Sequence, residues 1–138
     1  MIRVGVLTSS RADYGIYLPL LKALKQESNF ELRLIAFGTH LSKFHGYTLK
    51  QIEQDGFVPY ATVESLLVGD TPNAISTSYA LTNLKFADFW SHHHNQFDIV
   101  FALGDRFEMA AAVAAAVPYD LSIAHLHGGE TTLGAIDN

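Results

Sequence analysis

Five short apolar runs punctuate the chain: Ile2–Leu7, Phe30–Phe37, Phe57–Val63, Ile99–Leu103 and Leu121–Leu126. Runs of this length without alternation predict strands buried on both faces, as in a parallel sheet. The segments between them carry helical signals. Over Ile16–Glu27, Ile16, Leu20, Leu21 and Leu24 share one face while Lys22, Lys25 and Gln26 point elsewhere, and Pro19 is expected in the first turn, where its missing N–H costs little. Thr48-Leu-Lys-Gln51 has the spacing of a capping box. It predicts a short helix over Leu49–Asp55 with Leu49 and Ile52 inward and Gly56 just past the end. Glu64–Thr71 reads as loop. Thr71-Pro72 marks the start of a long helix reaching about His94. Its inward positions are Ile75, Tyr79, Phe86 and Trp90, with Leu84 and Phe89 widening the face. Phe107–Val117 is an alanine-rich helix ended by Pro118. The alternation β-α-β-α-β-α-β-α-β, wound by right-handed crossovers, predicts one α/β domain over residues 1–138: a Rossmann-like, doubly wound parallel sheet with helices on both faces.

In such sheets ligands bind outside the carboxyl ends of the strands. The first run leads into the polar loop Thr8–Gly15, which is no GxGxxG fingerprint but sets Arg11 and small hydroxyl residues beside a helix start, an anion site. The competing reading is that Ser9, Ser10 and Asp13 only cap the helix. His40 follows the second run. Asp105 and Arg106 follow Gly104 after the fourth, where Asp105 reads equally well as a plain cap. After the fifth run, Gly128 and Gly129 let a ligand approach the backbone closely. They lie between His127 and Glu130, two groups able to move protons, with Asp137 seven residues beyond Glu130. Carboxylates, histidines and arginines on one rim suit acid–base chemistry on a phosphorylated ligand. His92-His93-His94 makes a poor metal chelate, because consecutive helical residues point in different directions.

Composition narrows the classes. The 138 residues are 49% hydrophobic and 17% charged, which suits a globular domain with a real core. A net charge of −5 supplies no basic face for nucleic acid. Cysteine is absent, which excludes a disulfide framework and fits a cytoplasmic protein. MIRVGVLT turns polar too early for a signal peptide, and no apolar run approaches the about 20 residues of a membrane span.

Five segments together carry a resemblance: TSSRADYG at Thr8, GTHL at Gly38, EQDGF at Glu53, LGDRFEM at Leu103 and HLHGGETTLGAID at His125. In order and spacing, over essentially the whole chain, they resemble the hydrolysing UDP-N-acetylglucosamine 2-epimerases of sialic and related nonulosonic acid biosynthesis. The resemblance implies a GT-B-like enzyme of two Rossmann-like domains with the active site in the cleft between them. This chain would be the N-terminal domain; the domain that holds most of the uridine diphosphate is missing, so the 138 residues alone are expected to be inactive. It implies the conversion of UDP-N-acetylglucosamine to N-acetylmannosamine and UDP. A base removes the C2 proton, UDP leaves C1 by elimination, and water adds to 2-acetamidoglucal with inversion at C2. Asp105 and a carboxylate near the HGG segment are the implied acid–base pair. Some relatives have Glu immediately before the glycine pair, where this chain has His127 and displaces the carboxylate to Glu130; His127, Glu130 and Asp137 are all eligible as the C2 base. Arg11 is implied near the diphosphate and His40 near the sugar; by its own chemistry Arg106 is suited either to pair with a carboxylate or to meet a substrate phosphate, and Gly128 and Gly129 to let the substrate approach the backbone. No metal or redox cofactor is implied, the substrate is a nucleotide sugar, and the full-length enzyme is expected to be a homo-oligomer. Relatives act on UDP-N-acetylglucosamine, a UDP-diacetamido sugar or a GDP-linked sugar. Two other readings compete: a nucleotide-sugar glycosyltransferase domain, which needs no paired proton-transfer groups, and a non-catalytic sugar-nucleotide-binding module.

Overall fold

A computed structural model describes residues 1–42, 48–65, 69–104 and 106–126. Among these residues five strands, β1 (Ile2–Thr8), β2 (Phe30–Phe37), β3 (Ala61–Val63), β4 (Ile99–Leu103) and β5 (Ile123–Leu126), form one sheet in the order β3-β2-β1-β4-β5. Every neighbouring pair is parallel, with Val6 opposite both Leu34 and Phe101. Among the described residues four α-helices connect them: α1 (Arg11–Gln26), α2 (Leu49–Gln54), α3 (Pro72–His93) and α4 (Phe107–Ala116). The expected doubly wound α/β sheet is present.

Side-chain alternation along each strand builds two cores. Leu7, Ile35, Phe37, Val100 and Ala102 join Phe86, Trp90 and Met109 of α3 and α4 on one face. Val4, Val6, Leu34, Ala36 and Leu103 join Tyr14, Tyr17, Leu21 and Ile52 of α1 and α2 on the other. The 22 residues of α3 span about 33 Å, long enough to carry the chain from β3 at one edge past β2 and β1 to β4. Ala111, Ala112, Ala115 and Ala116 of α4 are buried. Their small side chains leave the helix backbone accessible to α3: Trp90 Nε1 donates to the Ala112 carbonyl (3.0 Å) and Asn83 Nδ2 to that of Ala111 (3.1 Å).

Several boundaries differ from expectation, each for a local reason. Helix α1 begins at Arg11, not Ile16, because Ser10 is its N-cap and accepts from the Asp13 N–H at 3.3 Å. This rotates the inward face onto Asp13, Tyr14, Tyr17, Leu21 and Leu24, leaving Ile16 exposed. It also puts Pro19 in the helix interior, on the exposed side with Gly15, whose carbonyl loses its i+4 donor but faces solvent. The capping box at Thr48 does not form: Thr48 is helical in φ and ψ, and its hydroxyl is engaged by His40. Gln51 turns instead to Asp55. Gly56 does take the left-handed position after α2, at φ +91°. Strand β3 starts at Ala61 rather than Phe57, since Pro59 can donate nothing and Val58 points into solvent. Asp120 adopts a left-handed turn that delays β5 from Leu121 to Ile123. α4 gives way after Ala116 to a short 3₁₀ turn, Val117–Tyr119. Along the first half of α3 the buried positions are Ser78 and Thr82, not Ile75 and Tyr79, and Leu84 is exposed. The Thr82 hydroxyl is satisfied by Ser65 at 2.8 Å, which lets a polar residue sit where an apolar one was expected.

Candidate functional site

The strand order reverses between β1 and β4. From β1 the chain leaves into α1 on one face; from β4 it leaves into α4 on the other. The crevice between two such departures is where open α/β sheets bind ligands. An arginine stands at each lip. Arg11 is the exposed first residue of α1, and Arg106 is the N-cap residue of α4, its side chain half-exposed. Both lie at helix N-termini, whose partial positive charge adds to theirs.

Beneath the first lip lies a buried chain of hydrogen bonds. Asp13 is held inward by the first turn of α1 and is 4% exposed. One carboxylate oxygen accepts from the Ser9 N–H (3.0 Å) and the Ser9 hydroxyl (2.8 Å); the other accepts from the Thr8 hydroxyl. Thr8 Oγ1 also meets His40 Nε2 at 2.8 Å, and His40 Nδ1 meets the Thr48 hydroxyl at 2.7 Å. His40 is fully buried, and burial lowers its pKa below the ordinary 6.5, with the Asp13 charge and the Ser10 carbonyl acting in the opposite direction. The neutral ring is therefore the favoured form. Gly38, at φ +62°, brings the turn after β2 against the same loop: a Cβ there would stand 2.7 Å from the Ser9 carbonyl. Thr39 ties the two turns together, donating to that carbonyl from its N–H (2.9 Å) and its hydroxyl (3.0 Å). The Tyr14 ring packs edge-on to His40, and its hydroxyl donates to Asp55 at 2.6 Å. Burial, then Asp55, raises the Tyr14 pKa, so this phenol stays protonated.

At the second lip, Arg106 Nε donates to Oε1 of Glu108 at 2.7 Å. Glu108 is fully buried in the first turn of α4, and its Oε2 finds no donor among the described residues. Gly104, at φ +73°, turns the chain out of β4, and His125 of β5 donates from Nε2 to the Gly104 carbonyl. Beside them opens a largely apolar cavity of about 380 Å³ between Tyr79, Met109, Val113 and His125.

Of the residues singled out from the sequence, Arg11, His40 and Arg106 are described. Asp105, His127, Gly128, Gly129, Glu130 and Asp137 lie outside the described residues. Arg11 and Arg106 stand at the two lips of the crevice, whereas His40 sits beneath the rim with both ring nitrogens engaged by the chain itself. The sequence reading missed Thr8, Thr48, Glu108 and His125, and named Asp13 only in the competing reading, as a cap. Glu108 and His125 stand inside the quoted LGDRFEM and HLHGGETTLGAID segments, but nothing in their spacing marks a buried carboxylate or a carbonyl-bound histidine. The three successive histidines have structural partners: His92 and His94 bond the carbonyls four residues back, and His93 meets the Tyr60 hydroxyl at 2.9 Å. No cluster suited to a metal ion occurs among the described residues.

Comparison with known proteins places this geometry in context. A family model described as UDP-N-acetylglucosamine 2-epimerase matches residues 22–138. The chain is 34% identical over 137 residues to polysialic acid biosynthesis protein P7 of Escherichia coli, covering 99% of this chain and 34% of that protein. It is 33% identical over 138 residues to a UDP-N,N'-diacetylbacillosamine 2-epimerase (hydrolyzing) of Legionella pneumophila, covering 99% of this chain and 36% of that one. Among solved structures, UDP-GlcNAc 2-epimerase from Neisseria meningitidis bound to UDP-GlcNAc superposes with a TM-score of 0.75 at 13% identity, over 96% of this chain and 34% of that one, a likeness of fold. The chain thus spans about a third of the length of the curated relatives it matches.

Proposed function

From a chain that belongs to the UDP-N-acetylglucosamine 2-epimerase family, we propose the N-terminal part of a hydrolysing nucleotide-sugar 2-epimerase. The observation that carries this reading is the pair of arginines, Arg11 and Arg106, at the two helix starts flanking the switch point between β1 and β4. Two cations backed by helix N-termini suit a leaving diphosphate, and stabilising a leaving group lowers the barrier to elimination. The relatives named for polysialic acid biosynthesis and for hydrolysing 2-epimerisation favour the hydrolysing branch.

In this reading the substrate is UDP-N-acetylglucosamine or a related nucleotide sugar. A base takes the C2 proton, the C1–O bond breaks, and UDP departs, leaving 2-acetamidoglucal. Water then adds across the double bond, its oxygen at C1 and a proton at C2 on the opposite face, giving N-acetylmannosamine. Asp105 and one of His127, Glu130 and Asp137 are the proposed proton carriers. Gly128 and Gly129 give the substrate close access to the backbone. A second domain, beyond these 138 residues, supplies the rest of the nucleotide site.

The test is proton NMR of UDP-N-acetylglucosamine incubated in deuterated water with the full-length chain. N-acetylmannosamine carrying deuterium at C2 is the expected product. Asp105→Asn, His127→Ala and Glu130→Gln then locate the base, with the variant lacking it losing at least about 100-fold in turnover. An intact substrate here and across a panel of UDP- and GDP-linked sugars overturns the enzyme reading in favour of a binding module.

A further inference from the structure

The hydrogen-bond chain beneath the β1–α1 turn has a direction. An aspartate accepting three hydrogen bonds can only accept, so the Thr8 hydroxyl must give its single proton to Asp13. Thr8 then has only a lone pair to offer at 2.8 Å from His40 Nε2, so that nitrogen must carry hydrogen. In the neutral ring Nδ1 is then bare, and the Thr48 hydroxyl, 2.7 Å away, must donate to it. Proton positions along four residues, from β1, α1, the turn after β2 and the start of α2, all follow from one carboxylate.

We propose that Asp13 is a positioning residue: through Thr8 it fixes His40 in the Nε2–H tautomer, and so locks the loop that presents Arg11 to the turn after β2 and the start of α2. Geometry supports the lock independently. Ser9 donates to Asp13 from its N–H and its hydroxyl, while its carbonyl accepts from Thr39. The loop is therefore gripped from both sides immediately before Arg11. His40 is the hinge pin of this arrangement: the ring is fully buried with both nitrogens engaged, a partner for the fold rather than for a ligand. The role given to Arg11 rests on the function proposed above; the tautomer does not.

Asp13→Asn tests the idea sharply. The Ser9 N–H can only donate, so the new side chain must keep its oxygen on the Ser9 side and turn its NH₂ toward Thr8. Thr8 then accepts from that NH₂, which frees its own proton; given to His40 Nε2, that proton selects the Nδ1–H tautomer. The measurement is nitrogen-15 NMR of histidine-labelled full-length chain, with UDP affinity by calorimetry. The wild type should show His40 as Nε2–H and Asp13→Asn as Nδ1–H. UDP binding should weaken about fivefold, the worth of one hydrogen bond of loop ordering. Thr8→Ser should keep the wild-type tautomer, and Thr8→Val should leave His40 a mixture of both; these two decide the matter if Asp13→Asn does not fold. A wild-type Nδ1–H ring, an unchanged tautomer in Asp13→Asn, or a reversed tautomer with unaltered UDP affinity overturns the proposal. Absence of epimerase turnover beside the expected tautomers and UDP response overturns the function proposed above and leaves this inference standing.

Discussion

Gly38 and Gly104 both take left-handed backbone at carboxyl strand ends, yet they answer to different constraints. At Gly38 a Cβ would meet the Ser9 carbonyl at 2.7 Å; at Gly104 it would meet nothing within 4 Å. Gly104→Ala should cost the about 1–2 kcal/mol of a left-handed non-glycine residue. Gly38→Ala should cost clearly more, because backbone rather than a flexible side chain stands in the way. Denaturant midpoints of the two variants measure the difference, and equal losses would mean that the turn after β2 yields freely. Neither cost was legible in the sequence, where both positions are simply glycines after apolar runs. Nor was the setting of His40 legible. A lone histidine after a strand is more often a surface or hydrogen-bonded residue than a catalyst, and the family resemblance put this one near the sugar; only the fold shows Thr8 and Thr48 closing on its two nitrogens.

Elements were more legible than residues, because parallel strands write themselves as unbroken apolar runs and their ends as sudden polarity. β4 matches its expected bounds and β2 does too. Helix α1 shows why the rest was harder. The five residues from Arg11 to Gly15 carry two polar side chains and a glycine, and they read as loop until Ser10 is seen capping them. The same misreading put Pro19 in a first turn. In the observed interior position it breaks one backbone hydrogen bond without any packing return, since it is exposed. Pro19→Ala should therefore stabilise the chain, by an amount approaching the about 3 kcal/mol that separates proline from alanine in a helix interior. A raised melting temperature is the expected result; a lowered one would show that the ring holds a bend the helix needs.

The whole molecule carries a pH dependence. His40 refuses a proton in the folded state that it accepts at its ordinary pKa of 6.5 once unfolded. The unfolded chain therefore binds more protons, and stability falls as pH drops below about 6.5 until the folded value is reached. The slope should reach up to about 1.4 kcal/mol per pH unit for this one group. Urea unfolding at pH 7.5 and 5.5 should show the loss, and His40→Asn should flatten it. Asp98 acts in a lower window: hydrogen bonds from Arg3 hold its pKa at about 2, so its contribution persists until pH falls from 3.8 toward that value. Among the described residues no helix is long and apolar enough to cross a membrane. The packing of α3 on α4 has a consequence for how this chain is able to change over generations. The indole of Trp90 and the amide of Asn83 reach past Ala112 and Ala111 to backbone carbonyls, and they reach them only because those residues end at Cβ. A bulky newcomer at Ala112 would cut the molecule's largest buried ring off from its acceptor, and one at Ala111 would do the same to the Asn83 amide. The plainest letters of the sequence are thus the least free to drift, while Leu84, large and apolar but exposed, is open to replacement.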